Sequence, residues 1–403
     1  MRPKLVAIHH SAATGGGGRS LVDLVRGTTE NFEVVAYVPE SATHLASQIQ
    51  DAGAIVKTFP DRMPKVPYYS GGDHLWHPRF WFYTCRVPWH LRAWGERLVD
   101  ERPDVVVANS GVISWLALVA PRTSVSVLMV RETMRGSRRR ISNRVLSRIR
   151  KNFDLVVYLS NFDQMSDALS GVETMVVPDA SPNLMDTCWS KSAARAALGI
   201  DERVFAPLYV GGSNALKGAD IFCDAVAQLQ RPVHAIFAGE PPRAPANLRG
   251  HIRRRRFDRK VLKASARTSD RQDIEFVGVV QEPEVLFAAA DVIVCPITQP
   301  HQLRPAYEAG FARKPVIASR FPHLAQCIAD EKNGLTFTPD SATELASCME
   351  RLARDPNLAS ALGEGNHDHA MTVHDHATVY GRFSQKLLEL TAKRATSDRE
   401  EAR

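Results

Sequence analysis

The sequence lacks a long apolar run. No stretch approaches the roughly 20 consecutive apolar residues that a helix needs to cross a bilayer. Residues 1–18 also lack the long apolar region and the cleavage pattern of a signal peptide, and they predict a first strand instead. With 44% hydrophobic and 24% charged residues, the composition is ordinary for a soluble globular protein. We therefore expect no transmembrane helix, and we expect a cytoplasmic protein.

Cysteine is scarce, and its spacing argues against two structural roles. The six cysteines include no CxxC pair, so neither a disulfide framework nor a zinc site is expected. The histidines at positions 367, 369, 374 and 376 form HxH pairs, but such pairs on a connecting segment are weak support for a metal. We expect reduced thiols and no metal ion. The cysteines are Cys85, Cys188, Cys223, Cys295, Cys327 and Cys348.

The net charge of +7 is unevenly distributed along the chain. Arg135–Lys151 holds eight Lys/Arg and no acid, and Arg249–Arg271 holds ten against two acids. Neither run is interleaved with aromatic residues, and no nucleic-acid module is recognisable, so nucleic acid is not the expected partner. Within the first run an apolar stripe (Ile141, Val145, Leu146, Ile149) lies beside arginines, which favours an anionic membrane surface or a phosphorylated lipid-linked acceptor. A solvated helix face remains the alternative.

A length of 403 residues exceeds what one core normally covers and predicts two domains of roughly 200 residues each. Short β-branched runs alternate with helical segments, which predicts βαβ units and an α/β fold. Gly15–Gly18 follow the first strand and would let a loop approach a ligand closely, although a tight turn would use the same residues. The pattern is not a clean GxGxxG, so a dinucleotide site is not expected.

A strand–helix–strand stretch between residues 290 and 319 organises the second half. The apolar run Ala290–Ile297 and the run KPVIAS flank a helix expected to begin after Pro305, with Glu308 near its N-terminus. Free N–H groups at such a helix start favour a diphosphate. A carboxylate there suits the two hydroxyls of a ribose, or it offsets the helix dipole.

Arg304–Ser319 (RPAYEAGFARKPVIAS) and Asn333–Pro356 resemble the donor-domain signature of family-four retaining glycosyltransferases with the GT-B fold. That family has two glutamates separated by seven residues, and the second contacts the ribose of the sugar nucleotide. Glu308 matches the second glutamate, whereas the first falls on Pro300, beside Gln299. The resemblance implies an α/β GT-B architecture of two Rossmann-like, doubly wound domains that face each other across a cleft.

The resemblance also implies where the donor diphosphate is held. Lys217, followed by Gly218, matches the lysine of the family's phosphate clamp. The usual arginine partner falls on Gly212, so the backbone N–H groups of Gly212 and Ser213 are expected to replace it. Val279, near the end of strand Ile274–Val280, is expected where the family seats the nucleotide base. Leu303, Arg304 and Pro305 complete the donor site with Glu308.

In the first domain the resemblance implies that Gly17 and Gly18 face the donor phosphates or the acceptor. A family histidine that reaches the donor sugar is replaced here by Arg131, followed by Glu132. The expected catalytic residues are Lys217, Arg304 and Arg131, and the family needs no metal or cofactor. The expected domains are 1–185 (acceptor side), 186–374 (nucleotide sugar), a helix 375–395 crossing back to the first domain and a disordered tail 396–403.

The predicted function is transfer of a hexose-type sugar from a nucleoside diphosphate sugar to a glycan or lipid-linked acceptor hydroxyl, with retention. Peripheral association with the inner face of the cell membrane through Arg135–Lys151 is expected. Because the family's first glutamate, its clamp arginine and its histidine are absent, a nucleotide- or partner-binding protein without turnover is the alternative. A GT-B sugar-nucleotide epimerase is a third possibility that fits the Arg304–Ser319 pattern less well.

Overall fold

The computed structural model describes residues 2–12, 15–61, 63–66, 78–133, 141–167, 169–182, 189–243, 252–280 and 282–401. The chain divides into two compact units. The first comprises Met1–Pro182 with His374–Arg403, and the second comprises Asn183–Val373. Within the described residues, no helix combines the length and the apolar character needed to span a membrane.

The first unit is built on a seven-stranded parallel sheet with the order β3-β2-β1-β4-β5-β6-β7. Its central strands are buried on both faces and rich in valine, as is typical of parallel sheets covered by helices. The strands are β1 (Lys4–Ile8), β2 (Glu33–Pro39), β3 (Ile55–Phe59), β4 (Val105–Ala108), β5 (Val125–Val130), β6 (Leu155–Tyr158) and β7 (Glu173–Val176).

Helices and one 3-10 segment (Gly111–Leu118) connect these strands. The first helix begins at Gly16 with Gly15 as its N-cap, so Gly17 and Gly18 lie in its first turn and not in a loop. The helices are α1 (Gly16–Thr28), α2 (Thr43–Asp51), α3 (Pro78–Thr84), α4 (Val87–Glu101), α5 (Ile141–Arg150) and α6 (Asn161–Asp167).

The second unit repeats this plan with a six-stranded parallel sheet of order β10-β9-β8-β11-β12-β13. The prediction of two Rossmann-like, doubly wound units is confirmed, because in each sheet the strand order reverses beside the first strand of the unit. The strands are β8 (Pro207–Val210), β9 (Val233–Ala238), β10 (Gln272–Gly278), β11 (Val292–Cys295), β12 (Val316–Ser319) and β13 (Leu335–Phe337). The helices are α7 (Lys191–Leu198), α8 (Ala219–Val226), α9 (Ile252–Ser265), α10 (Glu284–Ala289), α11 (Arg304–Phe311), α12 (Ala342–Arg354) and α13 (Pro356–Val373).

The last helix, α14 (His376–Glu401), belongs to the first unit. Its apolar residues Tyr380 and Phe383 enter the core of that unit, and Tyr380 packs where Gly27 leaves space, since a Cβ on Gly27 would lie 2.2 Å from the Tyr380 Cβ. The helix continues past residue 395, contrary to the predicted disordered tail. No glycine or proline interrupts residues 396–401, so nothing in that stretch stops the helix.

Candidate functional site

The loops that follow β8 and β11 leave neighbouring strands at the carboxyl edge of the second sheet. From β8 the following strands are added on one side of the sheet, toward β10, and from β11 they are added on the other side, toward β13. The carboxyl ends of β8 and β11 therefore form the switch point at which doubly wound sheets bind ligands. Thr298 ties the two loops together, since its N–H donates to the Leu216 carbonyl (3.1 Å) and its hydroxyl to the Ala215 carbonyl (3.0 Å). Seven predicted residues lie on these loops or on α11, namely Gly212, Ser213, Lys217, Leu303, Arg304, Pro305 and Glu308.

Gly212 adopts a left-handed backbone conformation (φ +61°), and a Cβ there would lie 2.7 Å from the Glu240 nitrogen. Its N–H donates to the Ala238 carbonyl (2.9 Å), and the Ser213 N–H donates to the Glu240 carbonyl (2.7 Å). The predicted contact of these two amides with a phosphate, in place of the missing arginine, remains a prediction. The loops after β8 and β9 pack backbone against backbone, so each donor already has an acceptor within the protein.

Lys217 is the last residue of a short 3-10 turn, Ala215–Lys217. The side chain of Asn214 caps this turn by accepting from the Leu216 N–H (2.9 Å). Gly218 follows in the left-handed region (φ +71°), and a Cβ there would lie 1.8 Å from the Pro296 carbonyl oxygen. Only glycine allows the two loops to approach this closely, so the backbone itself positions Lys217 beside the loop after β11.

The electrostatics of Lys217 single it out. Burial lowers the pKa of its ammonium, and the nearby Cys295 and Glu308 oppose that shift. Among the residues that the structure describes, none lies within hydrogen-bond or ion-pair distance of the ammonium. A partly buried cation without a partner is costly until an anion binds it. Lys217 is therefore the residue best suited to bind a phosphate at this edge.

Helix α11 begins at Arg304, two residues earlier than expected, with Leu303 as its N-cap. Pro305 lies within the first turn, where its missing N–H breaks no intrahelical bond. Leu303 makes no side-chain cap. The Ala306 N–H donates to the Leu303 carbonyl (3.0 Å). The positive end of the helix dipole favours an anion at this turn.

Glu308 lies in the second turn of α11 and is 6% exposed. Its Oε1 accepts from Arg304 Nε at 2.8 Å, an ion pair that joins two predicted donor residues. The Arg304 guanidinium also lies over the Tyr307 ring, 5.6 Å from its centroid. Because Glu308 is outside the first turn, the explanation that it offsets the helix dipole loses its geometric basis.

Val279 follows the end of β10 and is 72% exposed, so it offers an apolar surface beside this edge. Gly278 before it has a positive φ (+74°), and its carbonyl accepts from the Gly239 N–H (2.7 Å). This bond joins the loop after β10 to the loop after β9. The predicted base contact at Val279 remains a prediction.

Arg131 lies in the first unit, at the carboxyl end of β5. Its Nη1 pairs with Asp179 Oδ1 (2.7 Å), and its Nε donates to Asn109 Oδ1 (3.1 Å). Asn109 Nδ2 in turn donates to the Gly17 carbonyl and contacts His9 Nδ1, each at 3.2 Å. The guanidinium is therefore built into a polar cluster that also holds the first turn of α1.

His9 belongs to the same cluster and was not predicted. Burial lowers its pKa to about 4, opposed by the Asn109 contact and reinforced by Arg131. The ring is therefore neutral near pH 7 and can accept a hydrogen bond. His9, Asn109 and Asp179 share a signal in the sequence, because each is a polar residue that follows an apolar run.

Gly18 donates its N–H to the Gly15 carbonyl (3.0 Å), whereas a Cβ on Gly15 or Gly16 would meet nothing within 4 Å.

Glu132 is another polar group at the carboxyl end of β5, next to Arg131. Its Oε2 accepts from the Gly111 N–H (2.8 Å), and Oε1 accepts from the Ser110 hydroxyl. Burial raises the pKa of this carboxyl, while Ser110, Gly111 and Arg131 oppose the shift. Through these contacts the Glu132 carboxylate caps the start of the 3-10 segment that follows β4.

The basic run Arg135–Lys151 lies partly outside the described residues, since residues 134–140 are not described. Within α5, Val145 is exposed, whereas Leu146 and Ile149 of the predicted apolar stripe are half-buried. Arg150 is buried instead and pairs with Asp167 at 2.9 Å. This basic side chain faces the interior of the unit, so it is a structural residue and cannot contribute to a membrane surface.

The histidines after residue 366 have structural partners. His374 Nδ1 contacts the Asp179 carbonyl (2.6 Å), and His376 Nε2 contacts the Asp23 carbonyl (2.8 Å). Both contacts lie within the first unit and help to attach α14. Among the described residues, no group of three or more His, Cys, Asp or Glu side chains is arranged to hold a metal ion.

Residues 206–355 match the family model described as Glycosyl transferases group 1. This range contains every predicted site residue of the second unit. Arg131 and the glycines of the first unit lie outside it.

Two curated relatives extend this comparison. The alpha-D-kanosaminyltransferase of Streptomyces kanamyceticus is 23% identical over 302 residues, which cover 73% of this chain and 69% of the relative. The D-inositol 3-phosphate glycosyltransferase of Streptomyces bingchenggensis is 28% identical over 190 residues, which cover 45% of this chain and 40% of the relative. The match to the second relative therefore spans less than half of its length.

Among solved structures, HepE of Anabaena in complex with UDP-glucose superposes with a TM-score of 0.72 at 19% identity. The superposition covers 97% of this chain and 100% of that chain. At this identity the likeness concerns the fold alone. It confirms the predicted GT-B fold class.

Proposed function

We propose that this chain, which belongs to the group 1 glycosyltransferases and has the GT-B fold, transfers a hexose-type sugar from a nucleoside diphosphate sugar to an acceptor hydroxyl with retained anomeric configuration. One observation carries the proposal: the partly buried Lys217 ammonium lies at the switch-point edge with no partner among the described residues. A donor diphosphate supplies the missing anion. The proposed acceptor is a glycan or a lipid-linked molecule in cell-surface polysaccharide, glycolipid or glycoconjugate synthesis.

Leaving-group stabilisation is the proposed source of catalysis. As the bond between the sugar and the diphosphate breaks, negative charge develops on the departing phosphate oxygen. Groups already aimed at that position stabilise the charge without reorganising. Lys217 and the first turn of α11, which begins at Arg304, provide such groups. No pair of carboxylates of the glycosidase type is required.

Glu308 is proposed to bind the donor ribose. A carboxylate can accept hydrogen bonds from two neighbouring hydroxyls. The 2.8 Å bond from Arg304 Nε holds one carboxylate oxygen in place. Arg304 therefore serves twice, as a cation near the diphosphate and as the residue that orients Glu308.

Arg131 is proposed to act as a fixed cation of the first unit. Its ion pair with Asp179 is largely buried, with side-chain exposures of 6% and 15%. A guanidinium stays protonated near neutral pH, so Arg131 can contact an oxyanion but cannot exchange a proton. This departs from the titratable histidine that the resemblance places here.

A second candidate function is binding of a nucleotide sugar without turnover. Gly212 stands where the clamp arginine is expected, and its N–H is used by Ala238. Pro300 stands where the first glutamate is expected. Both features remove groups that would contact the diphosphate or the sugar.

The experiment that separates these functions is a panel of UDP-, GDP- and dTDP-sugars incubated with the purified full chain, with and without candidate acceptors. Transfer predicts nucleotide release that depends on an acceptor, together with a glycosidic product of retained configuration by NMR. Binding without turnover predicts a saturable calorimetric signal and no release. Interconversion of the sugar without an acceptor would indicate an epimerase instead.

Peripheral membrane association through the basic segment Arg135–Lys151 is a further part of the proposal. Each basic side chain near an anionic surface contributes about 1 kcal/mol, and salt weakens the contribution. Seven of the eight basic residues remain candidates once the buried Arg150 is set aside. Such association would bring a lipid-linked acceptor to the enzyme.

A further inference from the structure

A cavity of about 460 Å³ lies at the amino-terminal ends of β8, β9, β11 and β12 in the second unit. This is the edge of the sheet opposite to the one that holds Lys217 and the start of α11. The volume lies in the range of about 300–1,000 Å³ that small-molecule sites occupy. The cavity is therefore separate from the proposed donor site and large enough for a small organic molecule.

The lining of this cavity is strongly positive. Six cations face two carboxylates, Glu202 and Asp291, which leaves a net charge of +4. Glu350 and Glu364, which are not part of the lining, pair with Arg231 and Arg313, so a charge of +2 remains uncompensated. The six cations are Lys191, Arg195, Arg203, Arg231, Arg313 and Lys314.

Asp291 is already shared by three donors and cannot neutralise more charge. It accepts from Lys191 Nζ (2.5 Å), Arg195 Nη2 (2.8 Å) and the Ala206 N–H (2.7 Å). Arg195 is 1% exposed and also donates to several backbone carbonyls. Arg195 is thus a structural residue, and its charge adds to the field in the cavity.

Lys314 is a half-buried cation of the cavity that retains one N–H group for a ligand. Its Nζ donates to the carbonyls of Ala288 (2.9 Å) and Ala290 (2.8 Å), which uses two of its three N–H groups. The pKa of its ammonium is lowered to about 8, chiefly by burial, with Lys191 and Arg195 contributing to the decrease and Asp291 opposing it. An anion beside Lys314 would relieve this repulsion and accept its third N–H group.

Arg203 supplies a second available cation at the rim of the cavity. Its side chain is exposed, and it forms no hydrogen bond or ion pair within the described part of the chain. The start of α13 also lines the cavity, through Pro356, Ala359 and Ser360, and the Asp355 carboxylate caps this helix by accepting from the Leu358 N–H (2.9 Å). Phe205, Pro232 and Leu352 form apolar walls of the cavity, which suit an uncharged group attached to a bound anion.

We propose that this cavity binds a small phosphorylated molecule, with Lys314 and Arg203 as its phosphate ligands. A phosphate dianion matches the uncompensated charge, and the apolar walls fit a sugar or nucleoside attached to it. The site is independent of the donor site, because no residue lines both.

The test is isothermal titration calorimetry on the full chain with three probes: inorganic phosphate, a hexose 6-phosphate and a nucleoside 5′-monophosphate. We expect at least one probe to bind and the R203E variant to bind it at least about tenfold more weakly. The matched control is K263E, which makes the same change in charge at an exposed lysine of α9 outside the cavity. It should alter the affinity less than about twofold, because a distant exposed charge is screened.

The K217A variant separates the cavity from the donor site. Binding at the cavity should persist in K217A, whatever the outcome for nucleotide sugars. Absence of binding for all three probes, unchanged affinity in R203E, or loss of binding in K217A alone would each overturn the proposal. Comparison of the three probes identifies whether the phosphate alone, the sugar or the nucleoside provides the affinity.

Discussion

Replacement of Lys217 by alanine is the most informative single change, because it is expected to weaken donor binding without lowering the stability of the unliganded chain. Burial lowers the pKa of this lysine, so its charge is disfavoured in the folded, unliganded chain. Removing it should therefore leave the melting temperature unchanged or raise it. Donor binding should weaken, because the variant loses a charge-assisted bond to the diphosphate.

The expected loss follows from the type of bond. A hydrogen bond to a charged group contributes about 1.5–3 kcal/mol, which corresponds to a roughly 10- to 100-fold increase in the donor dissociation constant. Calorimetry with the nucleotide sugar that the panel identifies measures this change. K263A, at an exposed lysine of α9 with no hydrogen bond or ion pair among the described residues, is the matched control. An affinity equal to that of the wild type would refute the role of Lys217.

The pH dependence of donor affinity gives a second test of the role of Lys217. A lysine whose pKa is lower in the folded than in the unfolded state binds fewer protons when folded. Its charge therefore destabilises the folded chain at low pH, and this effect is lost as the pH rises from the folded-state pKa to the unfolded-state pKa. A bound diphosphate favours the charged ammonium. Donor affinity should therefore fall as pH rises through the pKa of the free protein, and K217A should lack this dependence. An identical pH profile in both proteins would contradict the reasoning.

Three further predictions concern other residues. E308Q should weaken binding of the ribosyl nucleotide while affecting a 2′,3′-dideoxy analogue much less, as measured by calorimetry; equal losses would exclude a ribose contact. G218A should lower stability in denaturant unfolding by about 2 kcal/mol or more, because its Cβ would meet the Pro296 oxygen at 1.8 Å, whereas G199A (φ +68°, nothing within 4 Å) should cost only about 1 kcal/mol. Sedimentation with phosphatidylglycerol vesicles at low salt should exceed that with neutral vesicles and fall when residues 138–140 are changed to glutamate; no difference would refute membrane association.

The sequence predicted both sheets because their strands are short β-branched runs buried on both faces, as in β4 (VVVA) and β11 (VIVC). It placed the starts of α1 and α11 too late, because glycine and proline residues in their first turns were taken to precede the helix. The four glycines read as a loop, yet three of them form the first turn of α1. Tertiary contacts outweigh glycine's low helix propensity there, since Gly17 packs against His9 and its carbonyl accepts from Asn109.

The sequence alone determined the elements, the GT-B resemblance and the residues around Lys217 and Arg304–Glu308, because each depends on neighbours close along the chain. Only the tertiary structure decided which polar groups are available to a ligand. It assigned the Gly212 N–H to a carbonyl of another loop, and it assigned Arg150 to a buried ion pair. It also assembled the positive cavity from positions spread between residues 191 and 360. Hydrogen bonds and charge compensation depend on distances in space, and spacing along the chain does not specify those distances.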